Sequence, residues 1–164
     1  SSPHLIVWKG VEKEVAKERF WTAVYKTVSE KYKLVEVSAV DKYTMICQNA
    51  IDLKNTRSFK KHGNYIYRID FDTLPDNMDT LRGKSGYFYE YNINDINSIA
   101  HIINTRYQTL TYFGVDKFEL LNFVVKNRLS GIDRIVPVGS ALEMDILWDG
   151  YDIVRSLSRI IELK

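Results

Sequence analysis

The stretch YQTLTYF (107–113), closed by Gly114, leads through Asp116 into Leu120, Leu121, Val124 and Val125 and then to IDRIVPV (132–138), with Pro137 near its end. The two outer pieces are rich in β-branched and aromatic residues. The middle piece repeats its apolar residues at steps of three and four. That order predicts a strand, a helix opened by Asp116, and a second strand.

The same alternation extends towards the N-terminus. Leu5-Ile6-Val7-Trp8 is a short apolar run closed by Gly10, which reads as a buried strand. Val11, Val15, Trp21, Val24, Val28 and Tyr32 then recur with Lys and Glu between them, predicting a helix over 11–32. A weaker helical pattern covers 40–53. Gly63-Asn64 punctuates, 65–71 alternates as a strand, 75–86 is a loop, and 87–91 is another strand. Asn94 or Asp95 can cap a helix with Ile96, Ile99, Ala100 and Ile103 on its apolar face. At the other end, 149–163 is expected as a closing helix, capped by Asp149, with Ile153, Val154, Leu157, Ile160 and Ile161 inward. Strands alternating with helices imply βαβ crossovers. The expected fold class is one α/β domain over 1–164, with a mainly parallel sheet and helices on both faces.

Composition narrows the function. The chain has 164 residues, 45% of them hydrophobic, enough for a real core. Lys+Arg number 23 and Asp+Glu 21, a net +2, so no broad positive field exists to hold nucleic acid. The short cluster Arg57, Lys60, Lys61, His62 is explained by a solvated turn at least as well as by a phosphate site. No apolar run is long enough to span a membrane, and no signal peptide precedes the first strand. One cysteine excludes an intrachain disulfide, and the expected compartment is the cytoplasm.

A self-contained catalytic site is not visible. Cys47 lies in an apolar helical pattern and is expected in the core, where a free thiol packs as a small hydrophobe. His4, His62 and His101 are far apart and show no metal-ligand spacing, so no metal is expected. Gly83-Lys84-Ser85-Gly86 lacks the upstream glycine of a phosphate loop and precedes a strand, so it reads as a plain turn. Glu143, Asp145, Asp149 and Asp152 cluster near the C-terminus, where capping and surface charge account for them.

One segment is more specific. GIDRIVPVGSAL (131–142), followed by ILWDGYD (146–152) and by Arg155-Ser156-Leu157-Ser158-Arg159, resembles the C-terminal signature of the fatty acyl-CoA reductases that supply aldehyde to bacterial luciferase. That family is a divergent branch of the aldehyde dehydrogenase superfamily. Ser1-Ser2-Pro3-His4-Leu5-Ile6-Val7 resembles the stretch that follows the superfamily's nucleophilic cysteine, and 87–104 resembles its strand plus a helix ending in asparagine.

The resemblance implies an aldehyde-dehydrogenase-like catalytic domain, of which this chain is the C-terminal part. The cofactor domain is absent, and the nucleophile comes immediately before Ser1. A cysteine thiolate would take the acyl group from a long-chain fatty acyl-CoA or acyl-protein as a thioester. NADPH, bound mainly outside this chain, would then reduce it to aldehyde. Ser1 and Ser2 would abut the nucleophile. Leu142, Met144, Ile146, Leu147 and Trp148 would line the acyl entrance, although Trp148, like Tyr151, could instead anchor the last helix. The superfamily's Glu-x-Phe-Gly-Pro segment has no counterpart near 78–87, where Arg82 or Lys84 could supply charge near the cofactor. The implied partners are the acyl-protein synthetase and acyl transferase of a fatty acid reductase complex, with a homo-oligomer for the full-length protein. The isolated chain is expected to reduce nothing. An alternative is a non-catalytic assembly module that binds the synthetase through an exposed face bearing Tyr65, Tyr67, Tyr87, Tyr89 and Tyr91.

Overall fold

The computed structural model describes residues 3–164, which fall into two compact units that divide between Ile96 and Asn97. Ser1 and Ser2 lie outside the described residues.

In the first unit, β1 (Ile6–Lys9) is followed by α1 (Lys13–Lys31) and α2 (Glu36–Asp52). Next come β2 (Thr56–His62), β3 (Ile66–Phe71) and β4 (Tyr87–Ile93). The strands form one sheet in the order β1-β4-β3-β2. β1 and β3 run parallel to β4, and β2 is antiparallel to β3. This is the expected α/β class with a mostly parallel sheet.

Register decides which side chains share a face. β3 and β4 pair Tyr67 with Tyr87, Arg68 with Phe88, Ile69 with Tyr89 and Asp70 with Glu90. Successive side chains on a strand point to opposite faces. Tyr67, Ile69, Phe71, Tyr87 and Tyr89 therefore share one face, and Arg68, Asp70, Phe88, Glu90 and Asn92 the other. Helix α1 covers the second face, with Trp21 packed on Phe88 at 4.9 Å between ring centroids. Helix α2 covers the first, with Asn49 donating to the hydroxyls of Tyr87 at 2.8 Å and Tyr89 at 3.0 Å. Helices on both faces explain why β3 is buried along its whole length, where the sequence suggested a strand with one wet side.

Several local expectations are corrected. Arg57, Lys60, Lys61 and His62 are not a turn but part of strand β2, whose lysines suit an exposed sheet edge. Helix α2 begins four residues before the expected position 40. Cys47, expected in the core, is exposed. On α1 the buried residues are Lys17 and Trp21, whereas Val11 and Val15 face solvent. The tyrosine face proposed as a docking surface is not available, because Tyr67, Tyr87 and Tyr89 are buried between the sheet and α2.

A 3-10 helix, Ile96–Ile102, runs through the division. It buries Ile99 and Ile102, not the expected Ala100 and Ile103, because a period of three stacks every third residue. In the second unit, β5 (Gln108–Tyr112), α3 (Lys117–Lys126) and β6 (Ile132–Pro137) form the strand–helix–strand unit expected from the sequence, with the strands parallel. Asp116 caps α3, accepting from the Phe118 N–H at 2.8 Å. The buried stripe of α3 is Leu120 and Phe123, while Leu121 and Val125 are exposed.

A hairpin follows, β7 (Leu147–Trp148) against β8 (Tyr151–Asp152). Its turn is Asp149-Gly150, both with positive φ (47° and 80°), the signature of a two-residue primed turn. Asp149 is therefore a turn residue. Asp152 caps the last helix, α4 (Ile153–Leu157), accepting from the Arg155 N–H at 2.9 Å. The expected closing helix over 149–163 shortens to this single turn. Val154, Leu157, Ile160 and Ile161 face solvent, because no described element of the second unit packs on that stripe, and a helical pattern without a packing surface is marginal.

Candidate functional site

Two arrangements in the first unit and one in the second bring chemistry-bearing side chains together.

The first lies between α1 and the sheet. Lys17 and Trp21, one turn apart, point at the face that carries Arg68, Asp70, Glu90 and Asn92. Lys17 Nζ donates to Asp70 Oδ2 at 2.7 Å and to Asn92 Oδ1 at 3.3 Å. Glu90 Oε1 accepts from the indole N–H groups of Trp21 at 2.6 Å and Trp8 at 2.8 Å. Its Oε2 accepts from Arg68 Nε at 2.9 Å. The Arg68 guanidinium also lies 4.7 Å from the Trp21 ring centroid. Arg68 Nη1 donates to His62 Nε2 at 3.1 Å, which places the neutral imidazole's own proton on Nδ1. Burial first, and the neighbouring Arg68 second, hold the His62 pKa below its ordinary value. Two acids and two bases are thus matched inside the fold, and Glu90 accepts three hydrogen bonds. Asp70 Oδ1 is buried without a hydrogen-bond partner. This cluster fixes α1 on the sheet.

The second arrangement is a cavity of about 710 Å³ on the same face, beyond the cluster. Val24, Val28 and Tyr32 from the second half of α1 form one wall, and Tyr65, Ile66 and Phe88 from the sheet another. The loop Arg82-Gly83-Lys84-Ser85-Gly86 closes it. The turn expected from the sequence is therefore part of a pocket wall, and Arg82 and Lys84, both exposed, border it. The loop has no slack. A Cβ on Gly83 would stand 2.2 Å from the Tyr87 carbonyl oxygen, and one on Gly86 (φ +91°) 2.2 Å from that of Tyr65. From the opposite face of the sheet, Lys42 Nζ donates to the carbonyls of Tyr65 at 2.9 Å and Ser85 at 2.8 Å. Its burial lowers the ammonium's pKa.

Arg82 is oriented in turn. His4 donates from Nε2 to the Met78 carbonyl at 2.6 Å, and its Nδ1 accepts from Arg82 Nη1 at 3.1 Å. Burial lowers the His4 pKa against the opposing pull of the Met78 carbonyl, favouring the neutral ring that this chain of bonds requires. The lining contains no carboxylate, imidazole or thiol. It offers the hydroxyls of Tyr32, Tyr65 and Ser85 and the cations of Arg82 and Lys84.

The third arrangement is the loop 139–147, which leaves β6 and enters the hairpin. Arg134 reaches over from β6, donating from Nη1 to the Ala141 carbonyl at 3.0 Å and from Nη2 to that of Glu143 at 2.9 Å. Its guanidinium stacks 4.2 Å from the Trp148 ring centroid. The candidate wall residues Leu142, Met144, Ile146 and Leu147 stand out from this clamped loop at 80, 77, 59 and 65% exposure. Trp148, half-buried, is held by Arg134.

No family model, curated protein or solved structure matches this chain.

Three of the four acidic candidates have a place in the local backbone structure. Asp152 caps α4, Asp145 accepts from the Ile146 N–H at 2.7 Å, and Asp149 sits in the hairpin turn. Among the described residues no group of three His, Cys, Asp or Glu side chains could hold a metal ion, and no helix is long and apolar enough to cross a membrane. His101 is exposed.

Sequence reasoning missed Lys17, Lys42, Arg68, Asp70 and Glu90. A signal for three of them existed. Arg68 and Asp70 are two apart in YIYRIDF (65–71), and Glu90 interrupts YFYEY (87–91). Charges of matched parity inside aromatic strands must either face water or pair with each other.

Proposed function

We propose that this chain is the C-terminal part of the catalytic domain of an NADPH-dependent long-chain fatty acyl-CoA reductase, making fatty aldehyde through an acyl-cysteine intermediate. The observation that carries the proposal is the loop 139–147. Its sequence lies within the segment that resembles the reductase signature, and it displays four large apolar side chains on a loop that Arg134 holds by two hydrogen bonds. An exposed apolar row of this kind calls for an apolar partner. A long acyl chain is one, and Arg134 holds the row in a fixed shape to meet it. The mostly parallel α/β sheet is compatible with an aldehyde-dehydrogenase-like domain.

In this reading the nucleophilic cysteine precedes Ser1 in the parent enzyme, and NADPH is bound mainly by residues outside this chain. The thioester holds the acyl carbon in place for hydride transfer. Leu142, Met144, Ile146 and Leu147 exclude water from the acyl chain. The acyl-protein synthetase and acyl transferase are the proposed partners, and the cytoplasm the proposed compartment.

The test is NADPH oxidation and aldehyde formation by the full-length protein with myristoyl-CoA and with butyryl-CoA. We expect aldehyde from both, and we expect M144D and L142D to raise KM for the long substrate at least tenfold while sparing the short one. No acyl-CoA-dependent aldehyde, or equal loss with both substrates, would contradict the assignment.

A further inference from the structure

We infer that the cavity between the second half of α1 and the loop 82–86 is a binding site for a single-chain amphiphile with an anionic head group. The inference does not rest on the reductase reading, whose carrying observation is a loop of the other unit.

The lining is divided. Val24, Val28, Ile66 and Phe88 offer an apolar wall, and Arg82 and Lys84 stand together in the closing loop. No lining residue is acidic; Asp79 lies outside the lining, where its charge acts on His4. Small-molecule sites share this composition, a mostly apolar concavity with a few placed polar groups, and about 710 Å³ lies within their usual size range of roughly 300–1,000 Å³.

The loop is built to present charge of one sign. The carbonyls of Lys84, Ser85 and Gly86, which would repel an anion, are taken up by protein donors. These are the Tyr87 N–H at 3.1 Å, Lys42 Nζ at 2.8 Å and the Tyr67 N–H at 2.9 Å. Arg82 is aimed by a neutral His4, itself anchored on the buried Met78. A loop with no stereochemical slack, a guanidinium with a dedicated positioning residue and a lysine beside it are more than a solvated turn requires.

A flat, strongly hydrated dinucleotide would leave Val24, Val28 and Phe88 facing phosphate and ribose. A head with one or two negative charges on an alkyl tail satisfies both halves of the lining. The shared chemistry is that of a fatty carboxylate or an alkyl phosphate.

The experiment is calorimetric titration of the full chain with myristate, tetradecyl phosphate, tetradecanol, inorganic phosphate and NADPH. It is paired with photo-crosslinking by a diazirine-bearing fatty acid. Saturable binding of myristate or the alkyl phosphate is expected, and the tighter of the two identifies the head group. K84E should weaken it about tenfold at low salt, an effect that shrinks as salt screens the pair. V28D should weaken it at least as much. Crosslinks should fall within 24–32, 65–66 and 82–88, a readout that needs no variant to fold. Equal binding of tetradecanol would overturn the role of the head, and equal binding of inorganic phosphate that of the tail. Tighter binding of NADPH, insensitivity to both substitutions, or crosslinks confined to other segments would overturn the site itself.

Discussion

Replacing Glu90 by glutamine keeps its shape and removes one charge at the centre of the α1–sheet contact. The oxygen of the new amide can still accept from Trp8 and Trp21, which reach Glu90 Oε1 at 2.8 and 2.6 Å. The amide nitrogen then faces the Arg68 Nε–H, donor against donor, where Oε2 accepted at 2.9 Å. Arg68 is 1% exposed, and its next anion, Glu18, stands 3.9 Å away on the surface. Leaving one partner of a buried ion pair unmatched costs about 3–5 kcal/mol. At roughly 2–4 °C per kcal/mol for a chain of this size, E90Q should lower Tm by about 6–20 °C. Unfolding followed by tryptophan fluorescence in a W148F background reads this directly, because the two remaining indoles are the ones that Glu90 binds. R68M combined with E90Q removes the stranded cation and should recover about 2 kcal/mol relative to the sum of the single variants. An E90Q protein within about 1 kcal/mol of the parent, or strictly additive variants, would refute the reasoning.

Other consequences follow from the same geometry. His62 titrates below its ordinary value because its protonated form is disfavoured by burial and by Arg68. Below about pH 6.5 the unfolded chain takes up that proton first, so stability should fall as pH drops from there towards the folded pKa, and H62Q should flatten part of the slope. Denaturation midpoints at pH 5 and pH 7.5 check this, and an unchanged slope would contradict it. G86A places a Cβ against the Tyr65 carbonyl at a positive φ, and should destabilise by roughly 2 kcal/mol or more in urea unfolding. R134K keeps the charge but cannot grip two carbonyls while stacking on Trp148, so limited proteolysis between 141 and 147 should accelerate several-fold.

Much of the fold was legible because periodicity and capping act locally. The span 107–138 carried its strand, Asp116 cap, helix and second strand in plain order, and the structure keeps all four. The failures have physical causes. Strand β2 was hidden because an edge strand carrying Lys60 and Lys61 has the composition of a turn. The closing helix was overcalled because 149–163 has a helical stripe, yet the Asp149-Gly150 turn diverts the chain into a hairpin first. The tyrosine face was misjudged because period-two alternation cannot reveal that a helix lies on each side of the sheet. Of the candidate site, Arg82 and Lys84 were picked out by charge alone, but the cavity they share depends on α1 lying across the sheet. That placement is fixed by Lys17 and by the donors gathered on Glu90.

The most direct test of the proposed reductase is to expose the full-length protein to radiolabelled myristoyl-CoA without NADPH, digest it and locate the thioester. The account predicts label on a cysteine immediately before Ser1, undiminished by C47A and discharged as aldehyde when NADPH is added. Label on Cys47, or none that NADPH releases, would contradict it.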